Sequence, residues 1–462
     1  MKKETGEKTH MQNPLGTQPI GRLLPKFAIP AIISMLVSAL YNIVDQIFIG
    51  QGVGMYGNAA TNVTFPLTTL ATSLGLLLGI GGASNFNLEM GRGNAEKARK
   101  IAGTAFGSQL IAGIAVCILV RLFLKPMILA FGATPEVLDY AITYVGITSF
   151  GMPFYILTIG SNHMVRADGS PTYSMISMVS GALVNTILDP LFIFQFHMGI
   201  AGAAWATVIG QVLSAVMVFC YWPRFKTVKL GIKDFIPQGR HLASIAALGA
   251  AACFNQLAMM ATQIVMNNIL RSYGAASVYG SDIPLAVVGI VAKVNMVFMA
   301  IVIGIAQGAQ PVFGFNYGAE QYQRVRTTYR YAGAAATVVA IVSFLGFQIF
   351  PRQITSLFGS GEELYYQFSI QYFRVFMFFT FLNGIQPLTA NFFTSIGKST
   401  RGILLSMTRQ LIFLIPLVVI FPMFMGIDGV IYAGPAADAA AGILAIYMVW
   451  REFRQMPRES AQ

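Results

Sequence analysis

Charged residues are scarce in this chain. They make up 10% of its 462 residues, against about 25% in an ordinary soluble protein, while hydrophobic residues make up 55%. A soluble chain of this length needs far more polar side chains to cover its surface. The shortage of charge therefore excludes an ordinary soluble fold and predicts a protein that crosses a lipid bilayer many times.

Other absences narrow the class of function. The three cysteines all lie in apolar runs, which is typical of small buried hydrophobic residues rather than of disulfides or metal sites. No Walker sequence is present, so we expect no ATP site and no bound cofactor. The formal charge is +12, but the basic residues form no patch interleaved with aromatic residues, so we expect no nucleic-acid partner.

Twelve apolar stretches are long enough to cross a bilayer, which takes about 20 helical residues. The first stretch is too long to be the apolar core of a secretory signal, which has about 7–15 residues. The sequence therefore predicts an all-α polytopic membrane protein with twelve transmembrane helices. The predicted spans lie near 27–49, 60–86, 101–124, 136–160, 172–195, 199–222, 242–270, 284–315, 329–350, 364–390, 402–421 and 427–450.

The basic residues predict how the chain is oriented. When the N-terminus is placed in the cytoplasm, 24 of the 30 basic residues fall in predicted inner segments, among them Lys2, Lys3, Lys8, Arg409 and Arg458. Inner loops of membrane proteins carry an excess of Lys and Arg. We therefore expect both termini in the cytoplasm and the bundle in the cell membrane, plasma or inner.

The second half of the sequence repeats the first. FGATPEV at 131 returns as FGSGEEL at 358, and MGIAGAAW at 198 returns as MGIDGVIY at 425. Each half then holds six spans, an even number, so the halves are parallel repeats about a pseudo-two-fold axis normal to the membrane. The predicted domains are a cytoplasmic N-terminal segment at 1–26, an N-lobe at 27–222, a cytoplasmic linker at 223–241, a C-lobe at 242–451 and a cytoplasmic tail at 452–462.

Ionisable residues inside membrane spans are candidates for function because a charge there is costly. The predicted spans contain three acidic residues, Asp45, Asp189 and Asp438. At a rise of about 1.5 Å per residue, Asp45 and Asp189 lie at a similar depth in the outer half of the first lobe. Asn185 shares a helix face with Asp189, being one turn away. Two hydroxyl-bearing residues reach the same depth on neighbouring spans, Thr207 and Tyr144.

Two carboxylates with amide and hydroxyl oxygens suit a hard monovalent cation, or they can share a proton, because like charges in an apolar site do not both ionise cheaply. The sequence repeat places Ile412, Pro416 and Gly434 at the second-lobe positions of Asn185, Asp189 and Thr207, all without the oxygen ligands. A single cation-binding site in the first lobe is therefore expected.

Two further residues carry open interpretations. Asp438 has no obvious acidic partner, so we expect a structural role for it. Pro30 lies fifteen residues before Asp45 on the same span, where a proline removes a backbone hydrogen bond. It is either a kink that a membrane helix tolerates near its start or a hinge that couples Asp45 to bending.

Several stretches are similar to the multidrug and toxic compound extrusion (MATE) family. They include YNIVDQIFIGQ at 41–51, VRADGSP at 165–171, NTILDPLFIF at 185–194 and GIAQGAQPVFGFNYGAE at 304–320. The similarity covers nearly the whole chain, and the QGAQPVFGFNYGA run is specific. The chain therefore resembles a prokaryotic MATE efflux transporter.

The resemblance implies secondary active efflux, in which organic and often cationic amphipathic compounds leave in exchange for entering Na⁺ or H⁺. In prokaryotic members of that family, a first-lobe cation site uses an Asp on helix 1, an Asn and an Asp on helix 5 and a Thr on helix 6. Asp45, Asn185, Asp189 and Thr207 match that pattern, and Tyr144 looks like a helix 4 member of the same network. The expected partners are small organic substrates and the lipid bilayer, and we expect a monomer that is not an enzyme.

Three alternatives stay open. The nearest is a flippase of the same superfamily that moves a lipid-linked saccharide, although twelve helices rather than fourteen weigh against it. His163 and Asp168 have a spacing used by some membrane acyltransferases, which makes that enzyme class a remote alternative. A receptor that does not transport is the third.

Overall fold

The computed structural model describes residues 13–280, 282–358 and 361–457, and within them every regular element is helical. The orientation predicted from Lys2, Lys3, Lys8 and Arg458 rests partly on residues outside these ranges. In the described residues, eleven helices are long and apolar enough to cross a membrane. They are α1 (Ile20–Gly52), α2 (Met55–Gly91), α3 (Ala95–Leu122), α4 (Pro135–Ala167), α5 (Pro171–Gln195), α6 (Gly199–Arg224), α7 (Gly239–Ala275), α8 (Asp282–Gly318), α9 (Tyr322–Ile349), α11 (Ser399–Met425) and α12 (Ile427–Gln455).

The remaining crossing, α10, is broken into four helical pieces: Glu363–Gln371, Tyr372–Phe376, Phe378–Leu382 and Ile385–Ser395. The backbone leaves helical geometry at Phe379, which has φ −90° and ψ 20°. The last piece begins two residues before Pro387 because a proline is tolerated in the first turn of a helix and not in its interior. With α10 included, the described chain has the twelve predicted crossings, six in each half of the sequence.

Helix α1 begins at Ile20, seven residues before the predicted span. Its polar first turns are helical because they continue the same hydrogen-bond ladder out of the apolar region. Pro30 therefore lies in the helix interior and not near its start, and the helix continues through it. The Ser34 hydroxyl donates to the carbonyl oxygen of Pro30 at 2.8 Å. The hinge stays a prediction, since a continuous helix does not test it.

Helices α1, α2, α7 and α8 join the two halves, and they pack in the pairs α1 with α8 and α2 with α7. Small residues bring the backbones together. A Cβ on Gly81 would overlap the carbonyl oxygen of Ile245, and a Cβ on Gly308 would overlap the Cα of Ala28. These close approaches lie at the end of the bundle where the odd-numbered helices begin, which we call the basic end.

The packing between the halves is densest at the basic end. Every residue of 78–91 in α2 and of 304–316 in α8 is buried, whereas exposed and buried residues alternate through 55–70 and 282–299. The halves therefore pack tightly at the basic end, and the same helices are less buried towards the opposite end.

The N-terminal segment is tied to the second half of the chain. Arg324, near the start of α9, donates through Nη2 to the carbonyl oxygens of Leu15 at 3.0 Å and Gln18 at 2.7 Å. Asn316 at the end of α8 also donates to the Leu15 carbonyl oxygen, at 3.0 Å. The chain that leads into α1 is therefore fixed to α8 and α9.

The segment after α6 is fixed by a buried carboxylate. Asp168, at the end of α4, accepts hydrogen bonds from the backbone N–H groups of Lys226 (2.7 Å) and Thr227 (2.9 Å) and from the hydroxyls of Thr227 and Tyr221 (both 2.6 Å). Four donors on one buried carboxylate hold the start of the connection between the two halves against α4.

Replacing Asp168 by alanine is expected to free this segment. Each hydrogen bond to a charged acceptor contributes about 1.5–3 kcal/mol, so the segment should open at least about tenfold more often. Limited trypsin digestion in detergent measures this as faster cleavage after Lys226. Asp139→Ala, at an exposed position of α4, is the control and should leave the cleavage rate unchanged. Equal rates in wild type and Asp168→Ala would contradict the anchoring role.

Candidate functional site

Two carboxyl groups meet in the first half of the bundle. Asp45 on α1 and Asp189 on α5 lie within hydrogen-bonding range of each other. Asp189 is fully buried, and Asp45 is half-buried with its Oδ1 oxygen enclosed and without a hydrogen-bond partner. Two such groups can share one proton or hold a cation between them, because two adjacent negative charges repel strongly where water is excluded. The structure brings together the two acids that the sequence singled out.

An amide and a hydroxyl extend the carboxyl pair. The Asn185 amide can be oriented so that both its nitrogen and its oxygen have hydrogen-bond partners. In that orientation the nitrogen donates to Asp189 Oδ2 at 3.1 Å, and the oxygen accepts from the backbone N–H of Thr207 at 3.0 Å. The Thr207 hydroxyl donates to the carbonyl oxygen of Ala203 at 3.0 Å and keeps a lone pair for another group. Oxygen atoms from α1, α5 and α6 therefore converge, which is the kind of ligand that hard cations prefer.

Tyrosines close the site on another side. Tyr144 on α4 reaches the Thr207 hydroxyl and lies near both carboxyl groups, as the sequence predicted. Tyr41 and Tyr155, which the sequence analysis missed, lie in the same network, and Tyr155 hydrogen-bonds to the Thr72 hydroxyl at 2.9 Å. The spacing of Tyr41, one helical turn before Asp45, was the available signal for it.

The packing of α5 on α6 explains why these groups are held together. Ser177 and Ser214 exchange hydrogen bonds, each hydroxyl donating to the other's carbonyl oxygen, at 3.1 and 2.8 Å. One turn further, Gly181 and Gly210 bring the two backbones so close that a Cβ on either would overlap the other helix. The α-helix changes to a π-helix over Leu191–Gln195, directly after Asp189 and Pro190. Such π segments are frequent at functional sites.

The second half carries a different arrangement. Asp438 on α12 accepts from Arg409 Nε on α11 at 2.5 Å and from the Asn383 amide at 2.9 Å. Arg409 had been assigned to an inner segment, and that assignment is wrong: it lies inside α11, where Asp438 compensates its charge. Asp438 thus links α10, α11 and α12, which fits the structural role expected for it.

Replacing Asp438 by asparagine should destabilise the protein by about 3 kcal/mol, because it leaves the Arg409 charge inside the bundle without its counter-ion. The midpoint of thermal unfolding in detergent measures the effect. Arg352→Gln is the control, since Arg352 and Glu363 form a pair in which both side chains are more than half exposed, worth less than about 1 kcal/mol. Adding Arg409→Gln to Asp438→Asn should recover much of the loss, and no recovery would count against a paired role.

A second polar network joins the halves at the basic end. Arg166 on α4 is buried, and its Nη2 donates to Gln307 Oε1 on α8 at 3.1 Å and lies 3.0 Å from His163 Nδ1. Gln310 on α8 donates to the Ser84 hydroxyl on α2 at 3.0 Å. His163 thus contacts Arg166, while Asp168 is engaged by the segment after α6. The two residues of the acyltransferase spacing serve separate contacts, which gives that alternative no geometric support.

Comparison with known proteins identifies the family. The MatE family model matches residues 30–191 and 251–420. Multidrug export protein MepA of Staphylococcus haemolyticus (strain JCSC1435) is 25% identical over 432 residues, 93% of each chain, and MepA of Staphylococcus aureus (strain MSSA476) is 25% identical over 433 residues, 94% of each chain.

Solved structures agree with this match. The MATE multidrug transporter DinF-BH, solved in complex with R6G, is 34% identical with a TM-score of 0.87, over 95% of this chain and 97% of its own. A MOP superfamily transporter from Pyrococcus furiosus has the same fold, with a TM-score of 0.88 at 24% identity, over 96% of this chain and 98% of its own. The predicted resemblance is thereby confirmed: this membrane protein belongs to the MatE family.

Proposed function

We propose that the protein is a secondary antiporter that exports organic compounds, often cationic and amphipathic, in exchange for Na⁺ or H⁺. The observation that carries the proposal is the contact between Asp45 and Asp189. A carboxyl pair with one enclosed oxygen free of partners binds a proton or a monovalent cation and releases it when the pair is separated or hydrated. The names of the MepA relatives support export as the direction of transport.

We propose alternating access through a groove between the halves. In this proposal the groove is closed at the basic end by packing of α1 on α8 and α2 on α7, and it opens at the other end, where these helices are less buried. We propose that the basic end faces the cytoplasm, so that the groove opens to the outside. An outside cation then binds Asp45 and Asp189 while the substrate leaves, and the halves reverse their contact to release the cation inside. Coupling requires the cation to bind the two states with different affinity.

The functional unit in this proposal is one chain in the cell membrane. Asp45, Asn185, Asp189, Thr207 and Tyr144 all come from the first half of a single chain, so the site needs no second copy. The carboxylate, amide and hydroxyl oxygens suit both Na⁺ and H⁺.

Transport into proteoliposomes tests the proposal. The purified protein is reconstituted, and movement of ethidium is followed by fluorescence under an imposed Na⁺ gradient or an imposed pH gradient, each alone. We expect uphill ethidium movement under one of the two gradients and none when both are dissipated. Absence of movement under either gradient, with the gradients verified by ion-sensitive dyes, would refute ion-driven export of a cationic amphipath.

A further inference from the structure

A cavity of about 390 Å³ lies at the basic end, where α1, the turn between α4 and α5, and the segment after α6 come together. Three basic side chains line it, one near the start of α1 and two after α6: Lys26, Arg224 and Lys226. All three are exposed, and none of them forms an ion pair among the described residues. The cavity therefore concentrates positive charge that the protein leaves uncompensated.

The N-terminus of α5 lines the same cavity and carries free backbone donors. Helix α5 begins at Pro171, and the N–H groups of Thr172 and Tyr173 have no acceptor in the first turn. The first turn of a long helix carries a partial positive charge and is a common binding position for phosphate groups. Charge and hydrogen-bond donors thus converge on one volume.

A buried hydroxyl in this cavity also lacks a partner. Ser170 is only 7% exposed, lines the cavity, and its Oγ makes no hydrogen bond within the described structure. It lies directly before α5 but does not cap that helix. The Tyr221 hydroxyl lies beside Ser170 Oγ but outside hydrogen-bond geometry, and it donates its own proton to Asp168. A buried hydroxyl without a partner is rare, and it is readily explained when a ligand completes its bonding.

The neighbouring carboxylate of Asp168 does not neutralise the positive charge that lines the cavity. Asp168 accepts four hydrogen bonds, from Tyr221, Lys226 and Thr227, and these occupy both of its oxygens. Its acceptors are therefore turned towards the backbone of the segment after α6, while the side chains of Lys26, Arg224 and Lys226 line the cavity.

We infer that this cavity binds a phosphate group, with Lys26, Arg224 and Lys226 as counter-charges and Ser170 and the first turn of α5 as hydrogen-bond donors. A phosphate monoester matches the site because it carries up to two negative charges and several acceptor oxygens. The group can come from a phospholipid of the facing leaflet or from a soluble phosphate. Either source would tie α1, which carries Asp45, to the start of α5, which carries Asp189.

Binding is measured with the purified full-length protein in detergent, as the rise in its unfolding midpoint with ligand concentration. One arm uses inorganic phosphate and the other dioctanoyl phosphatidic acid, with sodium chloride at matched ionic strength and dioctanoylglycerol as blanks. We expect a saturable rise with phosphatidic acid, with inorganic phosphate or with both. A response to both identifies the phosphate group alone as sufficient, and a response to phosphatidic acid only identifies the lipid as the source.

Thr172→Asp is the sharpest variant. Thr172 is exposed in the first turn of α5, where an acidic residue favours the helix, so the variant should fold while its own carboxylate fills the anion position. We expect the ligand-induced rise to disappear in Thr172→Asp and to persist in Thr172→Asn. A rise of unchanged size and concentration dependence in Thr172→Asp would overturn the assignment.

Two matched triple variants distinguish ligand binding in the cavity from nonspecific attraction to the positive charge of the basic end. The first triple variant should raise the half-saturating concentration of the phosphate ligand at least about tenfold. It combines Lys26→Gln, Arg224→Gln and Lys226→Gln. Lys229→Gln with Lys233→Gln and Arg240→Gln removes the same charge from exposed positions outside the cavity and should change it less than about twofold. Equal weakening by both triples, or a rise with sodium chloride alone, would show nonspecific attraction and refute the site. The readout does not depend on transport, so it stands apart from the antiport proposal.

Discussion

Asp45→Asn and Asp189→Asn should each abolish uphill export while the protein still inserts in the membrane. Asparagine keeps the size of the side chain but cannot exchange a proton or supply the negative charge that holds a cation. A tenfold gradient of the coupling ion stores about 1.4 kcal/mol, which can sustain a gradient of about tenfold for a monovalent cationic substrate exchanged one for one. Each variant should reduce that substrate gradient to about onefold in proteoliposomes.

The control for this prediction is Asp139→Asn, which removes an exposed carboxylate at the same end of the bundle as the site. It should export at the wild-type level. The amount of protein in the membrane is measured for every variant, so that poor insertion is not mistaken for lost coupling. Wild-type export by both Asp45→Asn and Asp189→Asn would show that the carboxyl pair does not couple the ion to the substrate.

Gly249→Ala is expected to open the bundle at its basic end. Gly249 on α7 lies against the backbone of Leu77 on α2, and an added Cβ would overlap the Leu77 carbonyl oxygen. Overpacking of this kind costs about 1–3 kcal/mol, which shifts a two-state equilibrium roughly 5- to 150-fold towards the state in which α2 and α7 separate. A cysteine at the buried position 84, introduced as Ser84→Cys, should then react faster with a water-soluble thiol reagent.

This experiment needs a background without the native cysteines, in which Cys117, Cys220 and Cys253 are replaced by alanine. Gly289→Ala is the matched control, because Gly289 lies in the α8 segment towards the other end and a Cβ there meets no atom within 4 Å. It adds the same methyl group to α8, which, like α7, is one of the four helices that join the two halves. If Gly249→Ala and Gly289→Ala react at the same rate, the close α2–α7 packing does not control access to the basic end.

Hydrophobic length, the positions of basic residues and the internal repeat were sufficient to predict the twelve crossings, because a bilayer imposes one length and one composition on every span. The interruption of α10 was harder to predict. Its apolar composition is uniform through Phe379, and the break shows only in backbone geometry and in the restart of the helix before Pro387. Local composition does not reveal where a helix inside a bundle changes its winding.

The sequence predicted those residues of the candidate site whose side chains are rare in membrane spans. A carboxylate in a membrane span is unusual enough that Asp45 and Asp189 could be paired by depth alone. Tyr41 and Tyr155 were missed because tyrosine is common in apolar spans and its position around the helix is decided by packing. Arg409 was misassigned because a buried pair with Asp438 depends on two helices that are distant in sequence, a contact that charge counting along the chain does not detect.

Helix α1 belongs mechanically to both halves of the molecule. Its start is held by the second half: Arg324 and Asn316 hydrogen-bond to the chain before α1, and Ala28 and Ile32 of α1 pack on α8. Its other end contacts the first half, where Asp45 meets Asp189 and Ile49 packs on Ile193. Any rotation of one half against the other must therefore twist or bend α1 between Ile32 and Asp45. The end of α1 that carries Asp45 is then linked to the position of the opposite half directly, without an intermediate helix.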